Sequence, residues 1–290
     1  MKQLLFFWVA FFAVTSMFSQ SKPAYLLYDS TGKVVDYAQM LDVCSKADII
    51  FFGEQHNNPI CHWLEQEMLH DLIRIRDKKI VVGAEMFEAD NQLVINELFQ
   101  HLIPMNKWEE NVRLWTNYQT DYKPIVDICY KNGISLIATN IPRRYAAKVA
   151  RAGFESLDSL SEQAKQYIAP LPVAYDENVP CYKNMLSMGS MGNMHASANL
   201  PKAQAIKDAT MAYFILKYLP SKWLFYHING AYHSDNFEGI VWYIKQKRKD
   251  LNIIVISSIE EPDIYHPSFD DMKQKGNFIL VIPSTMTKTY

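Results

Sequence analysis

The sequence predicts an α/β fold: a mainly parallel central sheet flanked by helices, with a helical insertion or lid. Three observations predict it. Apolar runs rich in Ile, Val and Phe recur at 48–52, 80–84, 134–138 and 223–228, without the polar alternation of a half-exposed strand. Segments of helical periodicity separate them. Each run then ends in polar, chemistry-bearing residues, as expected where parallel strands bring their carboxyl ends to one edge.

The elements follow in order. Residues 1–20 read as a secretory signal peptide: Lys2 gives a short basic start, residues 4–14 are apolar, and small polar residues follow from Thr15 to Ser21. Cleavage is expected near Ser19–Ser21, with Val14-Thr15-Ser16 as an earlier site and an uncleaved anchor as the alternative reading. The first cysteine is Cys44, so no lipobox Cys closes the apolar stretch. The expectation is an exported protein, periplasmic or extracellular, with 21–290 as a single domain. Within it the patterning places a short helix at 36–46, a strand at 48–54 and a helix at 59–76. A strand at 79–86 precedes helices near 90–101, 106–115 and 122–132, and a strand at 134–140 leads into a helix at 143–152. A helix at 202–219, a strand at 223–229, a helix at 236–248 and strands at 252–258 and 277–283 complete the alternation. Residues about 155–200 break it: Pro170, Pro172 and Pro180, several tyrosines and no strand-like run point to an inserted helical lid over the sheet edge.

Charge and cysteine content exclude several classes. With 29 basic and 31 acidic residues, nothing favours nucleic acid or an acidic membrane surface. Cys44, Cys61, Cys129 and Cys181 have no close spacing, which removes a CxxC redox or zinc motif. One or two disulfides or buried free thiols both fit.

The strand ends supply the candidate site. Glu54 and His56 lie two apart where a strand turns into a helix, a pairing that suits acid–base work, metal ligation or orientation of the imidazole. The plainer reading is local capping, with Asn57 or Asn58 starting the helix at Pro59. His62 shares a metal with His56 only if the turn bends suitably. Glu85 closes an apolar run and needs a partner; Arg143 or Arg144 could neutralise it, or Arg143 could anchor a carboxylate or propionate. His233 follows the Asn229-Gly230 turn and could face the same crevice. Gln204 and Asp208 share a helix face, directed at the site or bonded within the insertion. Met185, Met188, Met191 and Met194 are spaced by threes before His195. Thioethers and an imidazole could bind Cu(I) or pack against and ligate a haem; an adaptable apolar flap is the plainer use.

These residues carry a resemblance. Gly53-Glu54-Gln55-His56-Asn57-Asn58-Pro59 followed by His62 resembles the opening motif of ChaN-type haem-binding proteins, grouped with the Tiki, TraB and erythromycin-esterase-like families. Glu85-Met86-Phe87, Asn140-Ile141-Pro142-Arg143, Ala203-Gln204 through Ala212, and Gly230-Ala231-Tyr232-His233 match the rest in order, over roughly residues 35–260. The resemblance implies a parallel α/β core with a helical insertion and a haem site, in exported bacterial proteins linked to iron uptake. It also implies paired subunits with stacked cofactors and tyrosine ligation, for which Tyr145 and Tyr182 are the candidates. The segment before the Gln204–Asp208 helix, Gly- and His-rich in relatives, here carries more Met and keeps only His195.

The expected function is therefore binding of haem in a crevice between sheet edge and lid, as part of haem or iron acquisition. Arg143, Tyr145, Tyr182, Met188, Met191, His195, Gln204 and Asp208 are the cofactor-contacting candidates. A homodimer and an outer-membrane or periplasmic uptake component are the expected partners. The rival is a metal-dependent or esterase-like hydrolase, in which Glu54, His56, Glu85 and His233 activate water directly or hold a divalent metal.

Overall fold

The computed structural model describes residues 22–191 and 198–290. It opens on an antiparallel hairpin of Leu26–Asp29 (β1) and Val34–Val35 (β2), absent from the sequence prediction because strands this short carry no readable period. Tyr37–Cys44 (α1) starts at a capping box between Asp36 and Gln39. Ile49–Glu54 (β3) is buried throughout and feeds Pro59–Ile75 (α2). That helix starts where Asn58 accepts from the Ile60 N–H and Pro59 takes the first position. Ile80–Glu88 (β4) follows, then Gln92–Phe99 (α3), Met105–Asn111 (α4), a π-helical turn at Tyr118–Tyr122 and Lys123–Asn132 (α5). Ser135–Asn140 (β5), Arg143–Ala152 (α6), Glu162–Lys165 (α7), Pro180–Met191 (α8) and Leu200–Tyr218 (α9) come next. Leu224–Gly230 (β6), Ile240–Lys247 (α10), Ile253–Glu261 (β7), Phe269–Met272 (α11) and Phe278–Pro283 (β8) end the chain.

All eight strands form one sheet in the order β2-β1-β8-β7-β3-β6-β4-β5, parallel from β8 to β5 with β1 antiparallel at β8. Alternate residues of the central strands feed two cores, and at the β1–β8 side Tyr28, Ile279 and Val281 join a third, smaller one. Ile50 and Phe52 pack with α2 and α5, whereas Ile49 and Phe51 pack with α6, α9 and α10. Helices on both faces explain why the strands read as continuous apolar runs.

The topology selects one crevice. The chain leaves β3 through α2 on the first face and leaves β6 through α10 on the other, although β3 and β6 are neighbours. Connections that part to opposite faces open a gap at the carboxyl ends of those strands, where ligands of open α/β sheets bind. The ends of β3, β6 and β4 carry Glu54, Gly230 and Glu85 to that gap.

The described part of the insertion packs along α9 and α10. The Ala169 N–H donates to Thr210 Oγ1 at 3.1 Å, the Tyr243 hydroxyl to the Ala174 carbonyl at 2.7 Å, and the Cys181 N–H to Glu238 Oε2 at 2.7 Å. All four cysteines are buried free thiols, which decides between the two readings left open above. Among the described residues no helix is long and apolar enough to cross a membrane.

Candidate functional site

Two clusters of ionisable groups meet at the crevice. The first grows from β3. Residues two apart on extended backbone point the same way, and His56 Nδ1 lies 2.6 Å from Glu54 Oε1. The Tyr122 hydroxyl donates to that same oxygen at 2.7 Å. From α2, His62 Nδ1 faces Glu54 Oε2 and Glu65 Oε2, each at 3.4 Å. His62 Nε2 lies 3.2 Å from the His56 carbonyl and 3.4 Å from Asp121 Oδ2. The Asn117 amide ties those two acceptors together, at 3.0 and 2.7 Å.

Burial alone would raise the Glu54 carboxyl, but the His56 hydrogen bond and the His62 imidazole beside it outweigh it and hold it well below its usual range. Burial also opposes charge on His62, yet the Glu54 and Glu65 carboxylates beside it lift it to about 11. Glu65 moves the other way: burial and then the Glu54 charge push it well above an ordinary carboxyl. His56 is raised as well, because the Glu54 bond and the charges of Glu85 and Glu54 overcome its desolvation.

The second cluster joins β4, β6 and α9. Glu85 Oε2 accepts from the Gly230 N–H at 2.8 Å, and Oε1 lies 3.1 Å from His233 Nε2. His233 Nδ1 is 2.5 Å from Asp208 Oδ1, and the Tyr182 hydroxyl donates to Asp208 Oδ2 at 2.8 Å. Desolvation works against a charged His233, but Glu85 and Asp208 raise it to about 10, so an imidazolium bridges two carboxylates. Glu85, despite burial, is drawn down to about 2 by that charge; burial keeps Asp208 above its usual value against the same pull.

Gly230 lets the clusters approach. A Cβ there would stand 2.7 Å from His56 Nε2 and 3.6 Å from Glu85 Oε2. Only a hydrogen fits between them.

Several expectations need correction. Glu85 takes His233 as its partner, not Arg143 or Arg144, because Arg143 Nε pairs with Glu88 at 2.7 Å and Arg144 with Asp90 at 2.6 Å. Glu88 became available because β4 runs past the predicted strand end. Glu54, His56, Glu85 and His233 divide into two ion-paired couples instead of surrounding one ion, since His233 spends both ring nitrogens on carboxylates. The compact histidine–carboxylate group among the described residues is Glu54, His62 and Glu65. Tyr182 is fully buried against Asp208, so it supports that carboxylate and cannot reach a ligand in the crevice. Gln204 and Asp208 both turn to His233. Tyr145 lies off the crevice, with the Arg144 guanidinium 4.5 Å over its ring. Met188 and Met191 fall on α8, but their side chains and all of His195 lie outside the described residues.

Sequence reasoning missed Glu65, Asp121 and Tyr122. Glu65 had a signal, since it follows His62 by three on a helix and shares its face. Asp121 and Tyr122 had none, because a π-helical turn aims them.

A cleft of about 560 Å³ opens over this edge. His56 and Glu85 form its floor, Leu114, Trp115 and Ile141 supply apolar wall, and Arg143 and Lys207 add cationic groups. Trp115 meets the His56 ring edge-on, 5.0 Å between centroids. No described residue of the insertion lines the cleft, whereas Tyr290 does.

A solved structure described as cofacial heme binding to ChaN of Campylobacter jejuni superposes with a TM-score of 0.67 at 16% identity, covering 90% of this chain and 97% of that one. An erythromycin esterase in its open conformation matches more loosely, with a TM-score of 0.45 at 9% identity over 89% of this chain and 83% of its own. No curated protein matches the sequence. The model of the family described as haem-binding uptake, Tiki superfamily, ChaN matches residues 40–244, well over half of the chain, and the protein belongs to that family.

Proposed function

We propose that this protein binds haem in the cleft at the carboxyl edge of the sheet and serves haem or iron acquisition as an exported, periplasmic or extracellular protein. The observation that carries the reading is the composition of the cleft. Its volume of about 560 Å³ suits a small-molecule cofactor. Leu114, Trp115 and Ile141 offer the apolar surface that a porphyrin face needs, and Arg143 and Lys207 suit its propionates. His56 is the side chain best placed for iron, because Glu54 holds Nδ1 and leaves Nε2 for a ligand, the outer-shell arrangement usual for a metal-binding imidazole. Bound haem would supply the iron and its redox and ligand chemistry; the chain's own residues bind, orient and neutralise it. Cofacial haem, as described for the Campylobacter protein, would be met here by a homodimer that stacks one haem from each copy.

A haemin titration of the mature protein followed by ultraviolet–visible absorption tests this. A saturable Soret shift near one haem per chain is expected, weakened about tenfold in an Arg143→Ala, Lys207→Ala double variant, consistent with loss of a charge-assisted contact. Bands of tyrosinate ligation would shift the iron contact to Tyr290, the tyrosine that lines the cleft. Absence of any saturable shift would refute haem binding and leave ester or peptide hydrolysis by the Glu54–His56 couple as the reading to test.

A further inference from the structure

Beneath the cleft, one ring nitrogen has the surroundings of a metal ligand. His62 Nε2 is held by the His56 carbonyl at 3.2 Å and Asp121 Oδ2 at 3.4 Å. A histidine that ligates through one nitrogen characteristically donates its other N–H to a carbonyl or carboxylate. Its Nδ1 then faces two carboxylate oxygens, Glu54 Oε2 and Glu65 Oε2, both at 3.4 Å. That spacing is long for an ion-paired hydrogen bond, which runs about 2.7–2.9 Å. It equals the separation of neighbouring ligand atoms around a tetrahedral ion with bonds of about 2.0–2.2 Å, roughly 3.4 Å.

The oxygens themselves carry the second observation. Glu54 Oε2 and Glu65 Oε1 are buried without a hydrogen-bond partner, on side chains that are 0% exposed. Glu54 Oε1, by contrast, is occupied twice, by His56 and Tyr122. Orphaned carboxylate oxygens in a dry interior are costly, and a cation between them removes that cost.

We propose that Glu54, His62 and Glu65 form a buried site for one first-row divalent metal ion, separate from the haem cleft. One imidazole and two carboxylates suit Zn²⁺, Fe²⁺ or Mn²⁺. Two carboxylates neutralise the ion, with Asp121 and the His56 carbonyl as the outer shell that orients His62. Glu54 spans ion and His56 through its two oxygens, so the ion fixes the carboxylate on which the cleft imidazole rests. Because the ligands are closed to solvent, loading belongs to folding, and exchange from the native protein is slow.

The test uses haem-free, full-length mature protein refolded with and without Zn²⁺. Metal analysis after gel filtration is expected to return close to one Zn²⁺ per chain, and X-ray absorption of the loaded protein a shell with one imidazole and oxygen ligands. Glu65→Gln keeps the side-chain shape and removes the carboxylate charge; retention should fall at least tenfold with little change in melting temperature of the metal-free form. Zn²⁺ that does not persist, a shell with two or more imidazoles, or retention unchanged in Glu65→Gln would each overturn the site. The wild-type spectrum decides the matter even if the variant fails to fold.

Discussion

Replacing Asp208 by Asn tests whether the second cluster is an ionised network. His233 stands 2.5 Å from Asp208 and 3.1 Å from Glu85, and all three side chains are at most 6% exposed. Removing one partner of a buried ion pair leaves the other charge short of compensation, at a cost of about 3–5 kcal/mol. For a domain of this size each kcal/mol lowers the melting temperature by about 2–4 °C, so a fall of roughly 6–20 °C is expected. The Tyr182 hydroxyl can still donate to the amide oxygen of Asn, which separates lost charge from a lost hydrogen bond. The pH dependence sharpens the test. His233 is raised from 6.5 to about 10, so its stabilisation is complete below pH 6.5 and disappears as pH rises through about 10. The stability gap between wild type and Asp208→Asn should therefore narrow across that window, as followed by urea denaturation at successive pH values. Haemin affinity should fall less than in His56→Ala, because Asp208 lines no part of the cleft and reaches it only through His233 and Glu85. A melting shift under about 2 °C, or a gap independent of pH, would refute a cationic His233.

Two further predictions concern the other histidines. Gly230→Ala should displace the His56 ring, since the new Cβ would lie 2.7 Å from Nε2, while φ −55° at this position suits alanine. The expected result is haemin binding weakened about tenfold, comparable to one charge-assisted hydrogen bond, and reproduced by His56→Ala; unchanged binding in both would remove His56 from the site. His227 is buried between the Thr139 hydroxyl and Asn229, and desolvation depresses it from 6.5 to about 4. A depressed group contributes stability above pH 6.5 that is lost as pH falls through about 4, here about 3 kcal/mol. His227→Gln should flatten the acid limb of the stability curve, and an unaltered limb would place the acid sensitivity elsewhere.

The sequence disclosed most of what burial dictates. The six parallel strands announce themselves because a strand covered on both faces has no polar alternation, and each lies within a few residues of its expected span. Their ends mark the right edge for a related reason: Glu54, Glu85 and His233 are polar groups beside long apolar runs, where only a site or a pair can accommodate them. Pairing is another matter. Whether Glu85 meets Arg143 or His233 depends on β6 lying between β3 and β4, and strand order is invisible to local pattern. Glu88 escaped notice because the register between β4 and β5 shifts between Ala84 and Glu88, carrying the strand beyond its apolar run. Tyr122 and Asp121 depend on a π-helical turn that no heptad or alternation encodes.

The distribution of charge supports a functional reading of this edge over a structural one. Hydrophobic residues of similar volume would hold the fold at least as well as buried ion pairs, which often cost more in desolvation than they return. Here Glu54, His62, Glu65, Asp121, Glu85, Asp208 and His233 are all buried, and all gather where β3, β4 and β6 end. The opposite ends of those strands carry no comparable group: Ile49, Ile80 and Leu224 begin them, each fully buried. A fold needing charge for its own specificity would have no reason to confine it to the strand ends that face the cleft. Confinement is expected if the charges hold His56 and Glu85 rigid at the floor of that cleft, so that a bound ligand meets groups already in place.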